Sequence, residues 1–210
     1  MPFLDFVTAN REEILRLTAE HVFLVTVSIA AAAVIGIPLG IVLTRKASLK
    51  QWTLGLVNII QTIPSLALFG FLIPVPFIGG IGSRTAIVAL TLYALLPIVR
   101  NTCVGIASVD RSVVEAARAM GMTDSQILWR VEIPLSLSVI LAGLRVATVI
   151  GVGVATIAAA IGAGGLGQFI FRGVSMVNDS VILAGAVPAA ILALIADASW
   201  GWLERRFAVQ

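Results

Sequence analysis

Apolar residues run along this chain in five long blocks, over 22–44, 52–73, 85–106, 135–161 and 181–203, separated by stretches that hold most of the charge. A helix needs about 20 apolar residues to cross the hydrocarbon core of a bilayer, so each block predicts one transmembrane span. The first holds Gly36 and Gly40 around Pro38, a small-xxx-small pair that predicts close packing against another helix. The second is interrupted by Asn58, Gln61, Thr62, Pro64 and Ser65. The third carries Pro97, then Arg100, Asn101 and Thr102 near its end.

Residues 108–134, between the third and fourth blocks, follow a different pattern. Val113, Val114, Ala117 and Met120 recur at three- and four-residue spacing, which predicts a helix from Asp110 to Met120. Gly121 can adopt the left-handed conformation that ends such a helix. Thr123 or Asp124 can cap a second short helix, with Ile127 and Leu128 as its apolar side, and Pro134 opens the fourth block. The expected shape is helix, glycine elbow, helix, lying beneath the membrane. Small side chains at Ala116, Ala117 and Ala119 would let another surface approach closely.

Loop charges orient the bundle, because cytoplasmic loops carry the excess of Lys and Arg. Arg45, Lys46, Lys50, Arg111, Arg118, Arg130, Arg205 and Arg206 fall on one side, against Arg11, Arg16, Arg84 and Arg172 on the other. Eight against four places the N-terminus outside, the C-terminus inside and the 108–134 segment in the cytoplasm. Trp52, Trp200 and Trp202 sit near span ends as interfacial anchors.

Composition agrees with an all-α integral membrane protein. Of 210 residues, 59% are hydrophobic and 12% charged, with a mean hydropathy of +1.06; a soluble domain has about 25% charged residues. The net charge of +3 lies in loops and does not call for nucleic acid. Cys103 and His21 are single, which leaves little material for a disulfide, a metal centre or histidine chemistry. Residues 1–21 mix Asp5, Glu12, Glu13 and Glu20 with Arg11 and Arg16, unlike the short basic start of a signal peptide. They read as an extracytoplasmic segment, either an interfacial helix with Leu4, Phe6, Val7, Ile14, Leu15 and Leu17 as its apolar stripe, or a mobile polar lead-in.

The series Glu115-Ala116-Ala117, three residues, Gly121, nine residues, Val131-x-Ile133-Pro134 resembles the EAA loop of ATP-binding-cassette importer permeases, with aliphatic replacements in its last block. Residues 61–67 (QTIPSLA), 96–102 (LPIVRNT) and 161–167 (IGAGGLG) resemble the glycine betaine, carnitine and choline branch, and fit the methionine branch less well. The resemblance implies a type I importer fold. It makes 22–210 a permease domain with a coupling loop at about 108–134, in a multi-pass protein of a prokaryotic cytoplasmic membrane. It implies as partners a cytoplasmic ATPase dimer, a second permease subunit, identical or paralogous, an extracytoplasmic solute-binding protein and the surrounding lipid. Glu115, Ala116, Ala117, Gly121, Val131, Ile133 and Pro134 would couple to the ATPase. ATP and magnesium would belong to that ATPase, leaving this chain a non-enzymatic subunit with no cofactor or metal.

Asn58, Gln61, Thr62, Pro64 and Ser65 predict a kinked, polar-faced helix that lines a passage or bonds to other helices. A quaternary ammonium solute favours an aromatic cage, and only Tyr93 and a few phenylalanines such as Phe69 and Phe71 lie inside the spans, so recognition is expected mainly in the binding protein, with the permease as a low-affinity passage. Of Gly162, Gly164, Gly165 and Gly167, all but Gly165 satisfy a dinucleotide fingerprint in form only, since no strand precedes them. They read instead as a flexible re-entrant turn, like the family's outer gate. Arg100 and Arg145 can snorkel, and Asp197 can pair with one of them. A gradient-driven transporter would need buried ionisable groups, and these three are its candidates.

Overall fold

The computed structural model describes residues 3–207. The extreme ends of the two expected segments, 1–2 and 208–210, lie outside the described residues. Helix α1 (Phe3–Ala9) leads into α2 (Arg11–Arg45), followed by α3 (Ala47–Thr62), α4 (Ser65–Leu72) and α5 (Ser83–Ala107). Two short helices, α6 (Arg111–Ala119) and α7 (Asp124–Ile127), precede a π turn, Leu128–Glu132. Helix α8 (Ile133–Ile157) follows, then a 3-10 turn (Ala158–Ile161), α9 (Gly167–Met176) and α10 (Asp179–Phe207). The described residues form no strand.

Helices α2, α5, α8 and α10 are each part of a segment long and apolar enough to cross a membrane. The expected second span is a pair, α3 and α4, bent by 101°, which passes the same test only when taken together. Here the expected kink is a full break. Pro64 has no N–H to donate, and Ile63, the residue before it, is pushed into extended backbone at ψ 127°.

Two further boundaries differ from expectation. Residues 11–21 are not a separate interfacial element but the first three turns of α2, whose 35 residues extend about 52 Å. His21 is therefore fully buried inside the bundle, where Nε2 donates to the Val152 carbonyl of α8 at 3.1 Å. At the other end, helix begins before the fourth block: residues 124–161 run as one 38-residue helical segment through the π turn, with Pro134 in the first turn of α8.

The core forms where α5 packs between α2 and α8. Close approach depends on residues with no side chain: a Cβ on Gly40 would lie 2.6 Å from Thr102 Cβ, and one on Gly143 2.7 Å from Asn101 Cβ. Gly36 faces Ile98 in the same way, so the small pair of the first span is a contact with α5. Helices α8 and α10 are tied by Arg145, whose guanidinium forks onto Asp197 at 2.6 and 2.7 Å and reaches Glu204 at 3.3 Å. Asp197 thus takes Arg145 as its partner. Arg100 is exposed and forms no ion pair among the described residues.

Candidate functional site: a docking segment and a broken span

The helix–glycine–helix segment is closed at every terminus. The Asp110 carboxylate caps α6 by accepting the Ser112 N–H at 2.8 Å, and this bond holds its acid below the usual carboxylate range. At the other end Gly121, at φ +81°, makes a Schellman turn. Its N–H reaches Arg118 O at 2.9 Å, and Met122 N–H reaches Ala117 O at 3.2 Å. Thr123, not Asp124, caps α7, and does so reciprocally: Thr123 Oγ1 accepts from Gln126 N, while Gln126 Oε1 accepts from Thr123 N.

These turns separate the segment into two faces. Ala117 and Ile127 are buried, so the second alanine of the motif holds α6 to α7. Glu115, Ala116 and Gly121 are exposed, as are the apolar side chains of Val113, Met120 and Trp129. Exposed Met, Val and Trp side chains on an otherwise polar segment are surface that a partner would cover. Val131 and Ile133 are half-buried, and Pro134 is exposed at the head of α8.

The break in the second span is held by two bonds to α5. Pro97 cannot donate to the carbonyl of Tyr93 four residues before it, and that carbonyl instead accepts from Gln61 Nε2 at 3.4 Å. In return the Tyr93 hydroxyl donates to the carbonyl of Ile63, beside Pro64. Each proline frees backbone groups, and the two helices serve each other. Tyr93 is therefore 7% exposed and engaged in supporting the break. Asn58, Thr62 and Pro64 are exposed and Ser65 half-exposed along the same bent pair. Polar positions of the second span thus stay open on both sides of the break, with Gln61 turned back toward α5.

The glycine turn packs against α2 and α8. Gly162, Gly164 and Gly165 have positive φ, and the Gly165 N–H donates to Glu20 of α2 at 3.1 Å. A Cβ at Gly165 would lie 3.2 Å from His21 Nδ1, and one at Gly167 only 1.9 Å from the Thr156 carbonyl oxygen. The turn also meets the loop after α4, where the Gly82 N–H donates to Ile161 O at 2.9 Å. The broken span and the glycine turn, about 100 residues apart in sequence, are thereby joined at the outer end of the molecule. A cleft of about 600 Å³ opens beside the turn, lined in part by Arg16, Glu20, Phe23, Ser83 and Gln168.

Several of these partners had no sequence signal. Glu20 and His21 meet the glycine turn and α8 across more than 130 residues. Arg172 pairs with Glu13 at 3.1 Å while stacking over Phe169 at 4.6 Å. The Gln61–Tyr93 exchange did leave a trace, since a proline four residues after Tyr93 marks its carbonyl as unpaired.

Comparison with known proteins agrees with this architecture. Residues 36–209 match the family described as "Binding-protein-dependent transport system inner membrane component". The chain is 48% identical to the glycine betaine/carnitine/choline transport system permease protein OpuCD of Bacillus subtilis, over 88% of this chain and 80% of that one. It is 42% identical to the osmoprotectant import permease protein OsmW of Salmonella typhimurium, over 100% of this chain and 96% of the relative. Among solved structures, an inward-facing MetNI methionine ABC transporter matches with a TM-score of 0.84 at 28% identity, over 92% of this chain and 95% of that one. The chain belongs to the family of binding-protein-dependent transport system inner membrane components, as a multi-pass permease.

Proposed function

We propose that this chain is the membrane-spanning subunit of an ATP-driven importer of glycine betaine, choline, carnitine or a related osmoprotectant. The observation that carries this reading is the segment 110–134, in which the EAA spacing folds into two capped helices with Glu115, Ala116 and Gly121 exposed. Such a surface suits a groove on a cytoplasmic ATPase dimer. Val131, Ile133 and Pro134 then join the docked helices to α8. ATP and magnesium belong to that partner, and the chain itself holds no cofactor or metal. A second permease subunit, identical or paralogous, completes the passage, and an extracytoplasmic binding protein delivers the solute. The exposed Asn58, Thr62 and Pro64, half-exposed Ser65 and the glycine turn at 162–167 line that passage or its gate.

The substrate assignment follows the relatives at 40–48% identity, whose names specify these quaternary amines or osmoprotectants. The methionine transporter matches at 28–30% and favours a shared fold over a shared cargo. The test is uptake by the reconstituted complex of radiolabelled betaine, choline, carnitine and methionine. Gly121→Asp serves as the probe of docking. No atom lies within 4 Å of a Cβ placed at Gly121, but at φ +81° any side chain there is strained, so the substitution disturbs the elbow as well as adding a charge to the segment. The expected result is an inserted protein that no longer imports. Normal uptake and normal co-purification with the ATPase would overturn the docking assignment.

A further inference from the structure

The docking segment must pass its movement to the bundle through identifiable contacts. Helix α6 rests on α7 and on the π turn, and its chain connections run to α5 and α8. Among the described residues, one side-chain bond links residues 111–132 to any helix elsewhere: Arg45, the last residue of α2, donates to the Glu132 carboxylate. Glu132 is the last residue of the π turn, and its side chain is only 6% exposed.

The π turn places that carboxylate. In an α-helix, residues three apart lie on the same face, yet Trp129 is 65% exposed and Glu132 is buried. The i→i+5 bond from Ile133 N–H to Leu128 O opens the turn by one residue and separates the two directions. Trp129 and Arg130 stay outside with the docking face, while Glu132 points in to Arg45. The end of α2 is itself fixed to α5, since Gly40 lies against Thr102 and its carbonyl accepts from Cys103 Sγ at 3.3 Å.

The geometry points to Arg45 and Glu132 as positioning residues that transmit motion of the docking segment to α2, so that α2, α5 and the head of α8 move as one body. This role rests on the importer reading above and assigns a function to Arg45, outside its coupling motif, and to Glu132, the unspecified position within it. A charged pair suits this role, because a buried carboxylate without its cation is strongly disfavoured and the contact therefore persists as the segment moves. The half-exposed Arg45 can follow it on a flexible stem.

The test uses the whole complex in liposomes, with whichever of betaine, choline or carnitine the wild type accumulates. Solute imported per ATP hydrolysed is measured for R45Q, E132Q and the exchange R45E/E132R. Both single variants should assemble with the ATPase and hydrolyse ATP, but import at least about fivefold less per ATP, the lower end of coupling between linked sites. The exchange should recover much of that ratio. Unchanged ratios in the single variants would overturn the proposal. So would import and hydrolysis falling in proportion with no recovery in the exchange, since that is the signature of a merely structural pair. Wild-type uptake that proceeds without ATP would instead overturn the importer reading, and this proposal with it.

Discussion

Replacing Gln61 with Leu tests whether the two prolines really exchange partners between the broken span and α5. The substitution keeps most of the volume and removes the amide that donates to Tyr93 O at 3.4 Å. A buried carbonyl left without a donor costs about 1–3 kcal/mol, while polar contacts between membrane helices average about 0.6 kcal/mol with a maximum near 1.7. At this long distance we expect about 1 kcal/mol, or about fivefold in the unfolding equilibrium. Pro97→Ala supplies residue 97 with an N–H aimed at the same carbonyl. In that background Gln61→Leu should cost almost nothing, giving a coupling energy of about 1 kcal/mol between sites 36 residues apart. Tyr93→Phe is the control, because the Tyr93 hydroxyl bonds Ile63 O independently of Pro97. It should cost about 1–2 kcal/mol in both backgrounds. Equilibrium unfolding in mixed micelles, with the slope checked for constancy, measures all three. An equal loss for Gln61→Leu with and without Pro97 would refute the exchange.

Gly167→Ala should prevent stable folding or cost more than about 3 kcal/mol, because its Cβ would meet the Thr156 carbonyl oxygen at 1.9 Å; Gly153→Ala, with open space around it, should leave the melting temperature unchanged or raised. Thr123→Ala removes one half of a capping box and should weaken α7 by about 1 kcal/mol, read as faster amide exchange confined to residues 124–128. Asp110 has its acid lowered in the folded chain by the Ser112 N–H, so its cap is fully present above the ordinary value of 3.8 and is lost as pH falls through the lower folded value. Amide exchange in α6 should therefore accelerate in that acid window in the wild type, and Asp110→Asn should remove that pH dependence; an identical pH profile in the variant would count against the cap.

Local signals determined much of this protein. Apolar block length marked the long membrane helices, and the three- and four-residue spacing around Val113, Ala117 and Gly121 marked the two short helices between them, because each depends on residues a few positions apart. The Schellman turn and the capping box are of the same kind, although Thr123 and Asp124 remained equivalent until backbone geometry chose Thr123.

Tertiary structure decided what depends on distant partners. Pro64 announced a defect, but its 101° angle reflects the support that Tyr93 and Gln61 give across some 30 residues. Residues 11–21 look interfacial in isolation; they continue α2 because Leu17 and His21 find buried partners on α8, α9 and α10. The glycines of 162–167 mark a turn by their composition, but only the fold brings Glu20, His21 and Thr156 against it. Glu132 is one more charge in the sequence and becomes a buried link to Arg45 only because a π turn rotates it inward. Periodicity can report which face a residue occupies on a regular helix, but not where the helix departs from regularity or what waits on the other side.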